Sequence, residues 1–138
     1  RIKDIVFSYD RVLNFDGETG PYVQYTCVRA NSALDKAGYV PDARVIGFEE
    51  LSDIEFELVS ILFKFKDVLK DVVAKNEPSL LTRLLVDIAQ CFNKFYIECK
   101  ILADEAGIRD RRLAITAATC KVLKTGLGLL GIKVPEKM

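Results

Sequence analysis

Apolar side chains recur at steps of three and four along most of the chain, which is the spacing of one face of an α-helix. The strongest of these runs carries Leu81, Leu84, Leu85, Ile88, Phe92, Phe95 and Cys99. Similar runs lie at residues 54 to 65 and 112 to 127. No segment alternates apolar and polar positions for long enough to indicate a sheet. The pattern therefore predicts an all-α fold, a bundle of about five to six helices.

Turn and capping residues set the expected bounds of two helices. The turn cluster at residues 16 to 21 ends in a proline, which favours the first turn of a helix, and Gly38 favours its end. Ser52 and Glu55 have the spacing of a capping box, so another helix is expected to begin there. Residues 38 to 47 are expected to form a surface loop between the two.

The remaining helices are placed by the same reasoning. They are expected at residues 67 to 75, from Pro78 onward, and from Gly107 to the glycines that begin at Gly126, with Pro135 as the stop. Residues 2 to 15 mix apolar and charged side chains without a clear period. They are interpreted as a lead-in with one short helix or extended piece.

The charges of the 138-residue chain are balanced overall but unevenly placed, with twenty basic and twenty acidic side chains. Residues 35 to 71 hold five basic and nine acidic side chains, whereas residues 109 to 138 hold seven basic and two acidic. A basic final third is compatible with an anionic partner, although such a run is more often a solvated face. Neighbouring carboxylates are interpreted as solvated charges at helix starts: Glu49 with Glu50, and Glu55 with Glu57.

The residue types that dominate catalytic and metal sites are scarce. The chain contains no histidine, which excludes Cys-His and Ser-His nucleophile pairs and histidine-bound zinc. Its four cysteines form no C-x-x-C pair and are expected to be reduced and mostly buried: Cys27, Cys91, Cys99 and Cys120. We therefore predict no catalytic residue and no metal ligand in this chain.

The sequence carries no sign of a membrane or export segment. No apolar run reaches the roughly 18 residues of a membrane span, and the amino end does not resemble a signal peptide. A cytoplasmic protein is expected. The first residue is Arg1 instead of methionine, which indicates a segment of a longer protein.

The helix expected from Pro21 presents two distinct faces. At about 100° per residue, one face is a core stripe of Val23, Cys27, Ala30 and Leu34. Tyr22, Tyr25 and Arg29 share a second face, turned away from that stripe by roughly 130°. Phenol rings and a guanidinium plane can hold unstacked nucleobases by their flat faces. The alternative is that a neighbouring segment covers both tyrosines.

A second polar set lies on the long helix that follows Pro78. Asn93, Tyr96 and Lys100 fall at steps of three and four along the shoulder of its leucine stripe. Their polar ends can reach solvent while the ring of Tyr96 stays partly packed. An ordinary amphipathic edge is the alternative interpretation.

Three sequence blocks carry a resemblance to a known family. They read FDGETGPYVQY at residues 15 to 25, FNKFY at residues 92 to 96, and GLGLLGI at residues 126 to 132 with the closing PEKM. These blocks, with Arg29 and Arg112-Leu113, resemble the carboxy-terminal region of class I arginyl-tRNA synthetases. The resemblance implies a helical, DALR-type anticodon-binding domain at residues 19 to 138. Residues 1 to 18 would then be the trailing segment of the catalytic or stem-contact region.

The resemblance also implies site residues and a mechanism. The positions that match the anticodon-loop site of the family are Tyr22, Tyr25, Arg29, Tyr96 and Met138. Asn93 and Lys100 are added as supporting residues from their spacing with Tyr96 on the long helix. Arginine anticodons have cytosine in the middle, so the site is expected to read a splayed cytosine by stacking and by hydrogen bonds. Family members often carry histidine at the position of Cys27, where a difference in packing is expected.

The full-length enzyme of this family joins arginine to its tRNA using ATP with magnesium. The class I signatures of the HIGH and KMSKS type are absent from these residues, so the resemblance implies a fragment without cofactor or catalysis. Its implied partners are the anticodon loop of arginine tRNA and the upstream catalytic domain, in a monomer with no membrane contact. Two alternatives remain open, namely the domain of a cysteinyl- or glycyl-tRNA synthetase, or a helical adaptor that binds a protein.

Overall fold

The computed structural model describes residues 8–12, 17, 19–41 and 51–138, and most of these residues are helical. The helices are α1 (Tyr9–Val12), α2 (Gly20–Ala37), α3 (Asp53–Phe63), α4 (Phe65–Lys75), α5 (Ser79–Glu98) and α6 (Ala106–Leu129). No residue within the described ranges lies in a β-strand. The predicted all-α fold is therefore confirmed, with α1 as a single turn in the lead-in segment.

The local signals at the starts of α2 and α3 act as the sequence predicts. Thr19 precedes α2, and its hydroxyl accepts a hydrogen bond from the backbone N–H of Tyr22 at 3.3 Å. Gly38 ends the helix in the left-handed conformation, with φ of 57°. Ser52 and Glu55 form the reciprocal capping box at the start of α3.

Two of the predicted segments fall largely outside the described residues. Residues 1 to 7, 13 to 16 and 18 of the segment at residues 1 to 18 lie outside the described residues, including three of the four motif residues before Thr19. Residues 42 to 50 also lie outside the described residues, and they include most of the loop predicted at residues 38 to 47.

Helix α5 is the centre of the bundle and contacts α2, α3, α4 and α6. Helix α6 also packs against α2 and α3, so α2 and α3 both rest on the α5–α6 pair. The largest fully buried apolar side chains are Phe92, Phe95, Leu58, Leu81, Leu85, Ile88, Leu123 and Leu127. Most of them belong to the periodic runs seen in the sequence. The predicted core stripe of α2 also faces inward, with Val23, Cys27 and Ala30 buried.

The interpretation of Glu55 as a solvated charge is wrong. Its side chain is 0% exposed and forms ion pairs with Arg112 Nε at 2.7 Å and Arg111 Nη2 at 3.3 Å. Burial raises the pKa of this carboxyl, but the hydrogen bonds from Arg112 and Ser52 and the charges of both arginines outweigh burial. The pKa of Glu55 is therefore lowered from its ordinary value of 4.5. The carboxylate is a buried anchor between α3 and α6.

Helix α6 ends among the glycines, as predicted, but the prediction of Pro135 as its stop is wrong. Pro135 does not stop the helix, which ends at Leu129. Gly131 adopts φ of 76°, and the backbone N–H of Ile132 donates to the carbonyl of Leu127 at 2.9 Å, as in a Schellman motif. Gly126 lies inside the helix, where an added Cβ would overlap the side chain of Leu85 on α5. The absence of a side chain at Gly126 therefore permits close packing of α5 and α6.

All four cysteines are free and buried, as predicted. Cys27 and Cys120 face each other between α2 and α6. No helix in the described part of the chain is both long and apolar enough to cross a membrane.

Candidate nucleic-acid interface

Helices α2 and α5 bring six polar and aromatic side chains into one group, which we call the aromatic cluster. Its members are Tyr22, Tyr25, Thr26, Arg29, Asn93 and Tyr96. The side chains of Tyr25 and Tyr96 are 37% and 38% exposed, and Tyr22 and Arg29 are partly buried. The tyrosines and arginine predicted on the second face of α2 are thus not sealed inside the protein.

The guanidinium of Arg29 lies against two phenol rings. Its Cζ atom is 4.7 Å from the ring centroid of Tyr25 and 5.1 Å from that of Tyr96. Both distances are within the range of a cation–π interaction, for which arginine is well suited. Arg29 therefore links a ring on α2 to a ring on α5.

A network of hydrogen bonds fixes the positions of the Arg29 guanidinium and the tyrosine hydroxyls. Arg29 donates from Nη1 to Asn93 Oδ1 at 2.9 Å and from Nη2 to the Tyr25 hydroxyl at 3.2 Å. The amide of Asn93 donates in turn to the hydroxyl of Tyr22 at 3.0 Å and to Oγ1 of Thr26 at 2.9 Å. Both ends of the Asn93 amide are used, so its orientation is determined by the network. Asn93, expected only as a supporting residue, connects α2 to α5.

Helix packing fixes the positions of the rings. Tyr96 follows the buried Phe92 by one helical turn, and their ring centroids are 6.1 Å apart. Tyr22 lies in the first turn of α2, where the cap from Thr19 fixes the helix start and the helix dipole gives positive potential. The rings are therefore pre-organised by the fold.

Lys100 and Met138 lie apart from these contacts. The ammonium of Lys100 donates to both carboxylate oxygens of Asp104 at 3.1 Å. Met138 is the last residue and its side chain is exposed. The tail that carries it is tied to α2 by a bond from Gln24 Nε2 to the carbonyl of Lys133 at 2.7 Å. The structure thus joins Tyr22, Tyr25, Arg29, Asn93 and Tyr96, and not the other two.

Thr26 is the member of the cluster that the sequence reasoning missed. Its hydroxyl is buried, donates to the carbonyl of Tyr22 at 2.9 Å and accepts from Asn93. Its position four residues after Tyr22, on the edge of the aromatic face, was the available signal. A small hydroxyl there gives the Asn93 amide a partner inside the protein.

The aromatic cluster can bind by stacking and hydrogen bonding, but it contains no acid–base pair. Partly exposed phenol rings beside a guanidinium fit flat, unstacked nucleobases, while the remaining N–H groups can meet phosphate or base edges. Among the described residues, no group of three or more cysteine or carboxylate side chains could hold a metal ion.

Comparison with known proteins shows the family of this chain. A family model described as the DALR anticodon binding domain matches residues 23 to 138. The arginine–tRNA ligase of Halothermothrix orenii is 46% identical over 139 residues, covering 100% of this chain and 24% of that protein. The corresponding ligase of Alkaliphilus metalliredigens is 45% identical over 138 residues, with the same coverage.

A solved structure gives the same result. The arginyl-tRNA synthetase of Thermus thermophilus matches with a TM-score of 0.89 and 33% identity, over 99% of this chain and 24% of that chain. The chain therefore spans about a quarter of the length of its curated relatives. The resemblance to arginyl-tRNA synthetases is confirmed, and the chain belongs to the DALR anticodon binding domain family.

Proposed function

We propose that this domain binds the anticodon loop of arginine tRNA through its aromatic cluster. Tyr22, Tyr25 and Tyr96 hold splayed bases, and Arg29 supports the rings and meets the RNA backbone. Lys100 and Met138 act at the edge of the site, where RNA bound to the cluster extends past them. The bound loop orients the acceptor end of the tRNA toward a distant active site.

The observation that carries this proposal is the guanidinium of Arg29 between two partly exposed rings. Tyr25 and Tyr96 keep more than a third of their surface in solvent, which leaves part of each side chain accessible to a nucleobase. Base stacking on such rings contributes about 1–3 kcal/mol per base. Two or three stacked bases are therefore enough to hold an opened loop.

The whole enzyme, in this proposal, joins arginine to tRNA in the cytoplasm as a monomer, using ATP and magnesium. Residues 19 to 138 act as its anticodon-binding unit, and residues 1 to 18 connect that unit to the catalytic part. ATP and magnesium belong, in this proposal, to the catalytic part. The domain's contribution is to position the tRNA.

The proposal is tested by titrating the chain with an anticodon stem-loop of arginine tRNA. Replacing the middle cytosine by uridine is expected to weaken binding about tenfold, which corresponds to about 1.4 kcal/mol. Tyr22→Ala is expected to weaken binding to a similar degree, because a base loses its ring and Asn93 loses a hydrogen-bond partner. Affinity should also fall as salt rises from about 50 to 200 mM, because phosphate contacts release counterions.

Two results would contradict the proposal. Equal affinity for every middle base would leave only a nonspecific basic surface. Salt-independent capture of a protein, with no binding of the stem-loop, would favour the adaptor alternative, since aromatic protein contacts depend little on ionic strength.

A further inference from the structure

Cys27 on α2 and Cys120 on α6 place two thiols side by side in the core. Their Sγ atoms are 3.7 Å apart. Each sulfur also lies near the backbone carbonyl oxygen of the other residue, at 3.8 Å and 3.9 Å. These reciprocal contacts place each thiol against the backbone of the other helix.

We propose that Cys27 and Cys120 are a modification site at which a peroxide produces a disulfide that joins α2 to α6. The sulfur atoms need to approach from 3.7 Å to about 2.05 Å, the length of an S–S bond. The aromatic cluster uses other side chains of α2, so this site is separate from the proposed RNA surface.

The reaction takes two balanced steps. The thiolate of Cys120 attacks one oxygen of hydrogen peroxide, the O–O bond breaks, and a sulfenic acid and one water result after proton transfer. The sulfur of Cys27 then attacks the sulfenic sulfur, the S–O bond breaks, and the hydroxyl leaves as a second water with the proton of Cys27. Two thiols and one peroxide give one disulfide and two waters, with the peroxide as the two-electron acceptor.

The surroundings favour Cys120 as the attacking thiol. The hydrogen bond from Cys27 lowers the pKa of Cys120 against the effect of burial, and the charge of Lys124 lowers it further against that of Asp35. The same hydrogen bond, together with burial, raises the pKa of Cys27. Burial also raises the pKa of Cys91, to about 11. These directions favour the thiolate at Cys120, which is 5% exposed, whereas Cys27 is 0% exposed.

Peptide mapping of the peroxide-treated 138-residue chain tests the proposal, because trypsin leaves each cysteine in a different peptide. The four peptides are residues 12 to 29, 84 to 94, 95 to 100 and 113 to 121. After alkylation and digestion without reductant, peptides 12 to 29 and 113 to 121 are expected to be linked. The intact mass should fall by two hydrogens, and the peptides of Cys91 and Cys99 should still be alkylated.

A stability measurement and matched variants complete the test. The cross-link joins residues 93 positions apart, so the midpoint of thermal unfolding is expected to rise by about 5 °C or more and return on reduction. Cys120→Ala should abolish both effects, and Cys91→Ala should retain them. Four unmodified thiols, a different linked pair, or a sulfinic acid at Cys120 would overturn the proposal. The mapping uses the unsubstituted chain, so its result does not depend on how well either variant folds.

Discussion

Replacing Glu55 by alanine is expected to lower the free energy of unfolding by about 3–5 kcal/mol. The carboxylate is fully buried and pairs with Arg111 and Arg112, which are themselves largely buried. Removing the carboxylate leaves two largely buried guanidinium groups without their counter-charge. The buried Nε of Arg111 already lacks a hydrogen-bond partner in the intact protein. Urea unfolding of the variant and the parent chain at neutral pH measures the loss.

Glu57 offers a matched control on the same helix. Its side chain is 60% exposed and its ion pair with Lys94, at 3.6 Å, is a surface contact. Glu57→Ala is therefore expected to change the free energy of unfolding by about 0.5 kcal/mol or less. If the two substitutions had equal effects, the buried anchor between α3 and α6 would not exist.

The same carboxylate predicts a direction for the effect of pH. The folded-state pKa of Glu55 is lowered, so its contribution to stability is fully present above its ordinary, unfolded value of 4.5. That contribution is lost as the pH falls below 4.5 and through the folded-state pKa. In Glu55→Gln, this part of the acid destabilisation should disappear.

Replacing Arg29 by alanine is expected to weaken binding of the anticodon stem-loop by at least about tenfold. The substitution removes the guanidinium between Tyr25 and Tyr96 and also the donor to Asn93. Arg29→Lys keeps the charge but not the planar donor group. Its loss of affinity for the stem-loop should therefore be nearly as large as that of Arg29→Ala. Fluorescence anisotropy with a labelled stem-loop measures both variants.

A second arginine serves as a control that distinguishes the specific contacts of Arg29 from the loss of one positive charge. Arg83 is exposed on α5, so Arg83→Ala removes one positive charge from the helix that carries Asn93 and Tyr96. Its effect on affinity is expected to stay within about twofold. If Arg83→Ala and Arg29→Ala weakened binding equally, charge alone would explain the contribution of Arg29.

The helices of this domain follow from local signals. Caps at Thr19 and Ser52 and the glycine at residue 38 act within a few residues of their own position, and the leucine stripe of α5 fixes its buried face. The exception is the end of α6. There the left-handed Gly131 ends the helix before Pro135 is reached, because backbone hydrogen bonds within residues 127 to 132 pair the last carbonyl groups of the helix.

The candidate site could be predicted only in part, because its contacts join distant segments. The face shared by Tyr22, Tyr25 and Arg29 follows from one helix period. The bond between Arg29 and Asn93 joins residues 64 positions apart and depends on how α2 crosses α5. The burial of Glu55 was unpredictable for the same reason, since its arginine partners lie 56 and 57 positions away.

Ring-proton chemical shifts of the tyrosines, followed by NMR during titration with the stem-loop, show whether nucleobases lie on these rings. The five tyrosines of the chain provide both signal and internal control. We expect the ring protons of Tyr25 and Tyr96 to move upfield as bases stack on them, while those of Tyr39, at the far end of α2, keep their shifts. Binding of the stem-loop with unchanged shifts at Tyr25 and Tyr96 would contradict a stacking surface on the aromatic cluster.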